Sequence, residues 1–159
     1  MEKKTNTILT FILAILFFSL IAAYTIEYGL GHKPCKLCIY QRVPYFFSIL
    51  LVLNILLTKI YVKPSLLLLA LISLCGSALA FYHFGIEQGF FNESLVCAPE
   101  KLSETLTKDE ILEQIKKNVI SCNNVSFKIF GFSLATINTI FSFFLSVIFI
   151  QMFVKYEKN

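Results

Sequence analysis

Residues 8–26 read ILTFILAILFFSLIAAYTI, a run with no charged side chain. A helix crossing a hydrocarbon layer of about 30 Å needs about 20 predominantly apolar residues. This run is therefore long enough to cross a membrane, and three others match it. Residues 39–58 are apolar apart from Gln41, Arg42 and Asn54; residues 65–84 carry only His83 as a charged-type group besides Cys75; residues 129–154 are interrupted by Asn138 and Gln151. None shows the polar stripe at 3.6-residue spacing that a helix of a soluble bundle presents to water. The first run follows Lys3 and Lys4, as a signal peptide would, but it exceeds the usual apolar region of such peptides and no small-x-small cleavage site follows. It reads as a retained helix.

Composition agrees. The chain of 159 residues is 57% hydrophobic and 15% charged, against about 25% charged in soluble domains, and its mean hydropathy is +0.73. The net charge of +4 is dispersed, so nothing resembles a nucleic-acid-binding patch. The expected fold is an all-α membrane protein: one domain over residues 1–159, built as a four-transmembrane-helix bundle.

The connections are unequal. Residues 27–38 and 85–128 form two outer loops, and residues 59–64 a short turn on the side of both termini. Lys3, Lys4, Lys59, Lys63, Lys155 and Lys158 are dense on the terminal side, which the positive-inside rule assigns to the cytoplasm. In the long loop, Thr107 and Glu110 make a capping box, and Ile111, Ile115 and Val119 recur every four residues. A short amphipathic helix from about residue 108 to 119 is expected there, against the bundle or the membrane surface.

Four of the five cysteines fall in the outer loops. Cys35 and Cys38 form a C-x-x-C pair at the start of the second helix, where unpaired backbone N–H groups and the helix dipole favour a thiolate. Cys97 and Cys122 flank the loop helix. A c-type haem would need His after Cys38, and Ile39 stands there. Zinc on the four loop cysteines is an alternative, but 24 residues separate Cys97 from Cys122 and no second C-x-x-C exists. Sequence leaves the disulfide connectivity open. Arg42 lies one turn beyond Cys38, and a charge just inside a span usually marks function; the competing reading is an arginine reaching for headgroups. His83, at the outer end of the third helix, is either a hydrogen-bond donor to a bound ring or an interfacial histidine. Cys75, in mid-span, reads as a small apolar residue.

Three ordered motifs carry a resemblance. Pro34-Cys35-Lys36-Leu37-Cys38-Ile39-Tyr40-Gln41-Arg42, Tyr82-His83-Phe84-Gly85-Ile86-Glu87-Gln88-Gly89, and Cys122-Asn123-Asn124-Val125 running into Phe130-Gly131-Phe132-Ser133-Leu134-Ala135 together resemble the DsbB family of membrane thiol oxidases. The resemblance implies a protein-dithiol:quinone oxidoreductase. Cys97 and Cys122 would form the disulfide that accepts electrons from a periplasmic DsbA-like thioredoxin-fold partner. Cys35 and Cys38 would be re-oxidised by a quinone (ubiquinone or menaquinone), with Arg42 and His83 as its binding residues and no metal. The location implied is a bacterial inner membrane, with the cysteine loops periplasmic. A vitamin K epoxide reductase-type enzyme would carry its C-x-x-C late in the chain, whereas here it follows the first helix. The reading from a different class is a non-catalytic membrane protein whose outer loop is stapled by disulfides or zinc.

The orientation is testable. Cysteines introduced as Asn92→Cys and Lys108→Cys should react with a membrane-impermeant maleimide in intact cells. Reaction only after membrane disruption would reverse the assignment.

Overall fold

The computed structural model describes residues 3–92, 122, 128–129 and 131–157. Helix α1 (Lys3–Tyr24) runs on into a π-helical turn, Thr25–Gly29. Helix α2 (Lys36–Tyr40) and helix α3 (Arg42–Thr58) follow, separated by a turn at Gln41. Helix α4 (Val62–Glu87) comes next, then a two-stranded hairpin of β1 (Lys128–Ile129) and β2 (Phe132–Ser133), and helix α5 (Leu134–Glu157). Four helical segments, Lys3–Gly29, Lys36–Thr58, Val62–Glu87 and Leu134–Tyr156, are long and apolar enough to cross a membrane. The chain is an all-α, four-span membrane bundle.

Where the helices begin and end departs from the expected spans for local reasons. The fourth does not start at 129. Lys128 pairs with Ser133 and Ile129 with Phe132 in antiparallel register, around Gly131, whose φ of 86° suits a residue without Cβ. The second span is two helices rather than one. The third reaches from 62 to 87 rather than 65 to 84. The expected loop helix and Cys97 lie outside the described residues.

The bundle packs as membrane helices do. Leu9, Leu16, Val52, Ile55, Leu66, Leu69 and Phe149 fill one half of the core. Phe11, Phe18, Leu50, Leu57 and Phe144 point outward, as suits a surface facing lipid tails. Helices α4 and α5 form the most extensive pairing, and small buried residues line it: Ala70, Ser73, Gly76, Ser77 and Ala80 from α4, Ser142 and Ser146 from α5. Small side chains let two backbones approach closely, and hydroxyls then hydrogen-bond across the seam. Ser77 Oγ donates to the Thr139 carbonyl at 3.4 Å and Ser146 Oγ to the Ala70 carbonyl at 3.3 Å.

Gly76 is where α3 joins this seam. A Cβ there would meet Pro44 Cβ at 3.3 Å and Ser142 Oγ at 3.9 Å, while neighbouring Cys75 is exposed. Overpacking such a contact typically costs about 1–3 kcal/mol. Gly76→Leu should lower the thermal unfolding temperature in detergent measurably, whereas Cys75→Leu, one residue away, should leave it unchanged.

Candidate functional site

The site is assembled on the first turn of α2. Cys35 is the N-cap of that helix, extended at φ −70° and ψ 167°, and its Sγ accepts a hydrogen bond from the Cys38 backbone N–H at 3.3 Å. An N-cap acceptor satisfies one of the orphan donors of a helix start; here sulfur takes the place usually held by a hydroxyl or carboxylate oxygen. Cys35 and Cys38 are both free thiols, their sulfurs 3.0 Å apart. Contact with the Cys38 thiol, helped by the His83 imidazole and the Cys38 amide, holds Cys35 down to about 4 from an ordinary 9.0, although burial opposes this.

His83 comes from one turn before the end of α4. It is 3% exposed, packed inside the bundle. Its Nε2 lies 3.5 Å from Cys35 Sγ. Its Nδ1 lies 3.0 Å from Gln41 Nε2, and an amide nitrogen can only donate. Gln41 Oε1 in turn accepts from Asn138 Nδ2 at 2.8 Å, and Asn138 Oδ1 accepts from the Tyr45 hydroxyl and from Ser142 Oγ. This chain of donors gives His83 one tautomer: Nδ1 accepts, and the ring proton sits on Nε2, facing Cys35.

Arg42 opens α3 on the other wall. Its guanidinium pairs with Glu27 and lies 4.7 Å above the Tyr24 ring. Glu27 lies within the π-helical turn Thr25–Gly29 that continues α1; single π turns often mark functional sites. Arg42 therefore brings a charge already balanced by a carboxylate.

Cys122 reaches the same place from the far end of the long loop. It is 2% exposed and held in a disulfide. Its Sγ, Cys35 Sγ and a His83 ring nitrogen all lie within 4.8 Å of one another. Cysteine and histidine at this spacing suit a soft metal in principle, but a thiolate is the ligand and Cys122 is not one while disulfide-bonded.

A cavity of about 370 Å³ opens beside these groups. Its walls are apolar where α1 and α5 face each other, with Leu20, Ala23, Ile26, Ile137 and Phe141; Cys35, Cys38, Gln41, Arg42, His83 and Glu87 line its polar part. Apolar walls with a few converging polar groups are what a small-molecule site presents.

Of the residues singled out from sequence, the fold brings together Cys35, Cys38, Cys122, Arg42 and His83; Cys97 lies outside the described residues, and Cys75 sits on the exposed face of α4, away from the site. Sequence reasoning missed Glu27, Gln41, Glu87 and Asn138 as members. The signal was present for Gln41 and Asn138, polar residues within apolar spans, which are costly and hence informative.

The chain matches the family model described as disulfide bond formation protein DsbB over residues 5–152. It is 29% identical over 164 residues to an uncharacterized protein of Rickettsia prowazekii (strain Madrid E), covering 99% of this chain and 93% of that protein. It is 27% identical over 171 residues to disulfide bond formation protein B of Histophilus somni (strain 129Pt), covering 99% of this chain and 92% of that one.

The Cys35 environment predicts a reactivity profile. With the reduced protein, iodoacetamide should modify Cys35 at a rate that stays high as pH falls from 9.0 and declines only near 4, since the thiolate is the nucleophile. His83→Phe removes one of the groups that favour the thiolate, so the decline should move to higher pH. Peptide mass spectrometry of the alkylated chain reads both.

Proposed function

This chain belongs to the DsbB family of disulfide bond formation proteins, and we propose that it is the membrane thiol:quinone oxidoreductase of a disulfide-forming relay. The observation that carries the reading is the meeting of Cys35, Cys122 and His83 within 4.8 Å, in a bundle of four membrane-length helices with a largely apolar pocket lined by Cys35 and His83. Two sulfurs from opposite ends of the chain's outer loops have no structural need to lie so close. They do need it to exchange a disulfide, since exchange proceeds by direct attack of one sulfur on another.

The relay then runs as follows. A reduced periplasmic thioredoxin-fold protein of the DsbA type attacks the disulfide of Cys97 and Cys122, and a second thiol of that protein resolves the mixed disulfide with Cys97. The Cys122 thiolate attacks the Cys35 sulfur of an oxidised Cys35–Cys38 pair, and Cys38 leaves with the electron pair as a thiolate. The Cys97 thiol recloses on Cys122, its proton passing to the Cys38 thiolate, and releases Cys35 as a thiolate. The pair now stands as the dithiol of the structure, Cys35 ionised and Cys38 against it.

The pocket suits a quinone: its apolar walls fit a flat ring and the foot of a lipid tail, and Arg42 and His83 can donate to ring oxygens. A quinone supplies the capacity to accept two electrons and two protons. His83, with its proton on Nε2, serves as donor to Cys35 or to such an oxygen, and the Gln41–Asn138–Tyr45 chain holds it in that orientation. The charge-balanced Arg42–Glu27 pair offers hydrogen bonds without adding a net charge to an apolar site. The membrane is then a bacterial inner membrane, with termini cytoplasmic and the cysteine loops periplasmic.

The test is quinone reduction by the purified protein supplied with a reduced DsbA-type protein, followed by the loss of quinone absorbance. Cys35→Ser and Cys38→Ser should each abolish turnover. Arg42→Met should slow it by about 10²-fold, the scale typical of a lost electrostatic donor, and Arg42→Lys by less. Failure of the intact protein to reduce either ubiquinone or menaquinone would overturn the reading.

A further inference from the structure

Glu87 has no part in the relay above, yet it is placed at its centre. It ends α4, lines the pocket and is 6% exposed in its side chain. Its Oε1 lies 3.7 Å from His83 Nε2, the nitrogen that also faces Cys35. The i,i+4 spacing puts both side chains on one helix face. Its Oε2 is fully buried and has no hydrogen-bond partner among the described residues. A buried carboxylate oxygen left unpaired is costly, and such a cost is tolerated where the group has work to do.

Proton balance supplies the work. When the Cys35–Cys38 dithiol closes, an S–S bond forms, two electrons leave for the acceptor in the pocket, and the Cys38 S–H bond breaks; its proton needs a base. His83 is not that base. Gln41 donates to Nδ1, so Nε2 already carries the ring proton and has no free lone pair. The remaining pocket groups are no better placed. Arg42 is a donor only, and Glu27 is engaged with Arg42. His32 and Lys33 come from the loop before α2 and not from the helix face that carries His83.

We propose that Glu87 is the proton acceptor of the dithiol: its free carboxylate oxygen takes the proton of Cys38 as the disulfide closes, holds it next to the pocket, and yields it to the reduced electron acceptor. His83 Nε2–H, 3.5 Å from Cys35 Sγ and 3.7 Å from Glu87 Oε1, ties the carboxylate to the ring that faces Cys35. The proposal rests on the redox reading of the cysteines, but it concerns the dithiol's own proton and not the identity of the oxidant.

The experiment therefore uses an oxidant that needs no quinone site. The reduced full-length chain is oxidised with diamide, which accepts two electrons and two protons, and closure of Cys35–Cys38 is followed by acid quench, alkylation and peptide mass spectrometry. Glu87→Gln should close on the order of 10²-fold more slowly than wild type, the usual weight of a general base, and added formate should restore part of the rate. Glu87→Asp, which keeps a carboxyl group, should close within several-fold of wild type; if the Gln variant does not fold, Glu87→Ala with and without formate replaces it. Wild-type closure rates in Glu87→Gln, or equal slowing in the Gln and Asp variants with no formate response, would overturn the proposal. Glu87-dependent closure by diamide in a protein that reduces no quinone would leave this inference standing and remove the quinone reading instead.

Discussion

A polar side chain buried among apolar helices must find its partner inside the protein, because lipid offers none. The arrangement around Cys35 depends on this constraint. Gln41 sits at the break between α2 and α3, Asn138 on the first turns of α5, and His83 near the end of α4. Each is unaffordable alone at that depth; linked in series, each satisfies the next. The link also fixes relative rotation. Helix α5 must present Asn138 to Gln41, and α4 must present His83 to the other end of the same amide. A hydrogen-bonded chain thus sets the register of three helices whose apolar surfaces would accept several.

The same chain gives the cysteine pair its asymmetry. Cys35 is the N-cap, where a backbone N–H, a neighbouring thiol and an imidazole N–H converge on one sulfur. Cys38, three residues later, is inside the helix and has no such set of donors among the described residues. That set favours the anion on the Cys35 sulfur. On the opposite wall the π-helical end of α1 brings Glu27 to Arg42, so a charge that would be expensive next to lipid enters as a neutral pair.

Much of this fold was legible in the sequence. Unbroken apolar runs of about 20 residues admit few structures but spanning helices, and all four were found where expected, with ends shifted by a few residues. The shifts have local causes: the hairpin around Gly131 delays α5, and the turn at Gln41 divides the second span. The C-x-x-C pair was legible as two sulfurs held together at a helix start because its spacing and its place there are both local. Arg42 was legible as unusual, but its partner was not: Glu27 was read simply as the first residue of a loop.

The sequence by itself determined the number of spans and the polarised first turn of α2, since each depends on residues that are near neighbours in the chain. Only the tertiary structure decided that His83 faces Cys35 across 48 residues, that Gln41 meets His83 across 42 and Asn138 across 97, and that Cys122 closes on the same point. The physical reason lies in the helices themselves. Spans that are apolar all round carry no stripe to say which face turns inward, so their rotation is settled by the few polar side chains that must pair and by the small residues that let α4 and α5 approach.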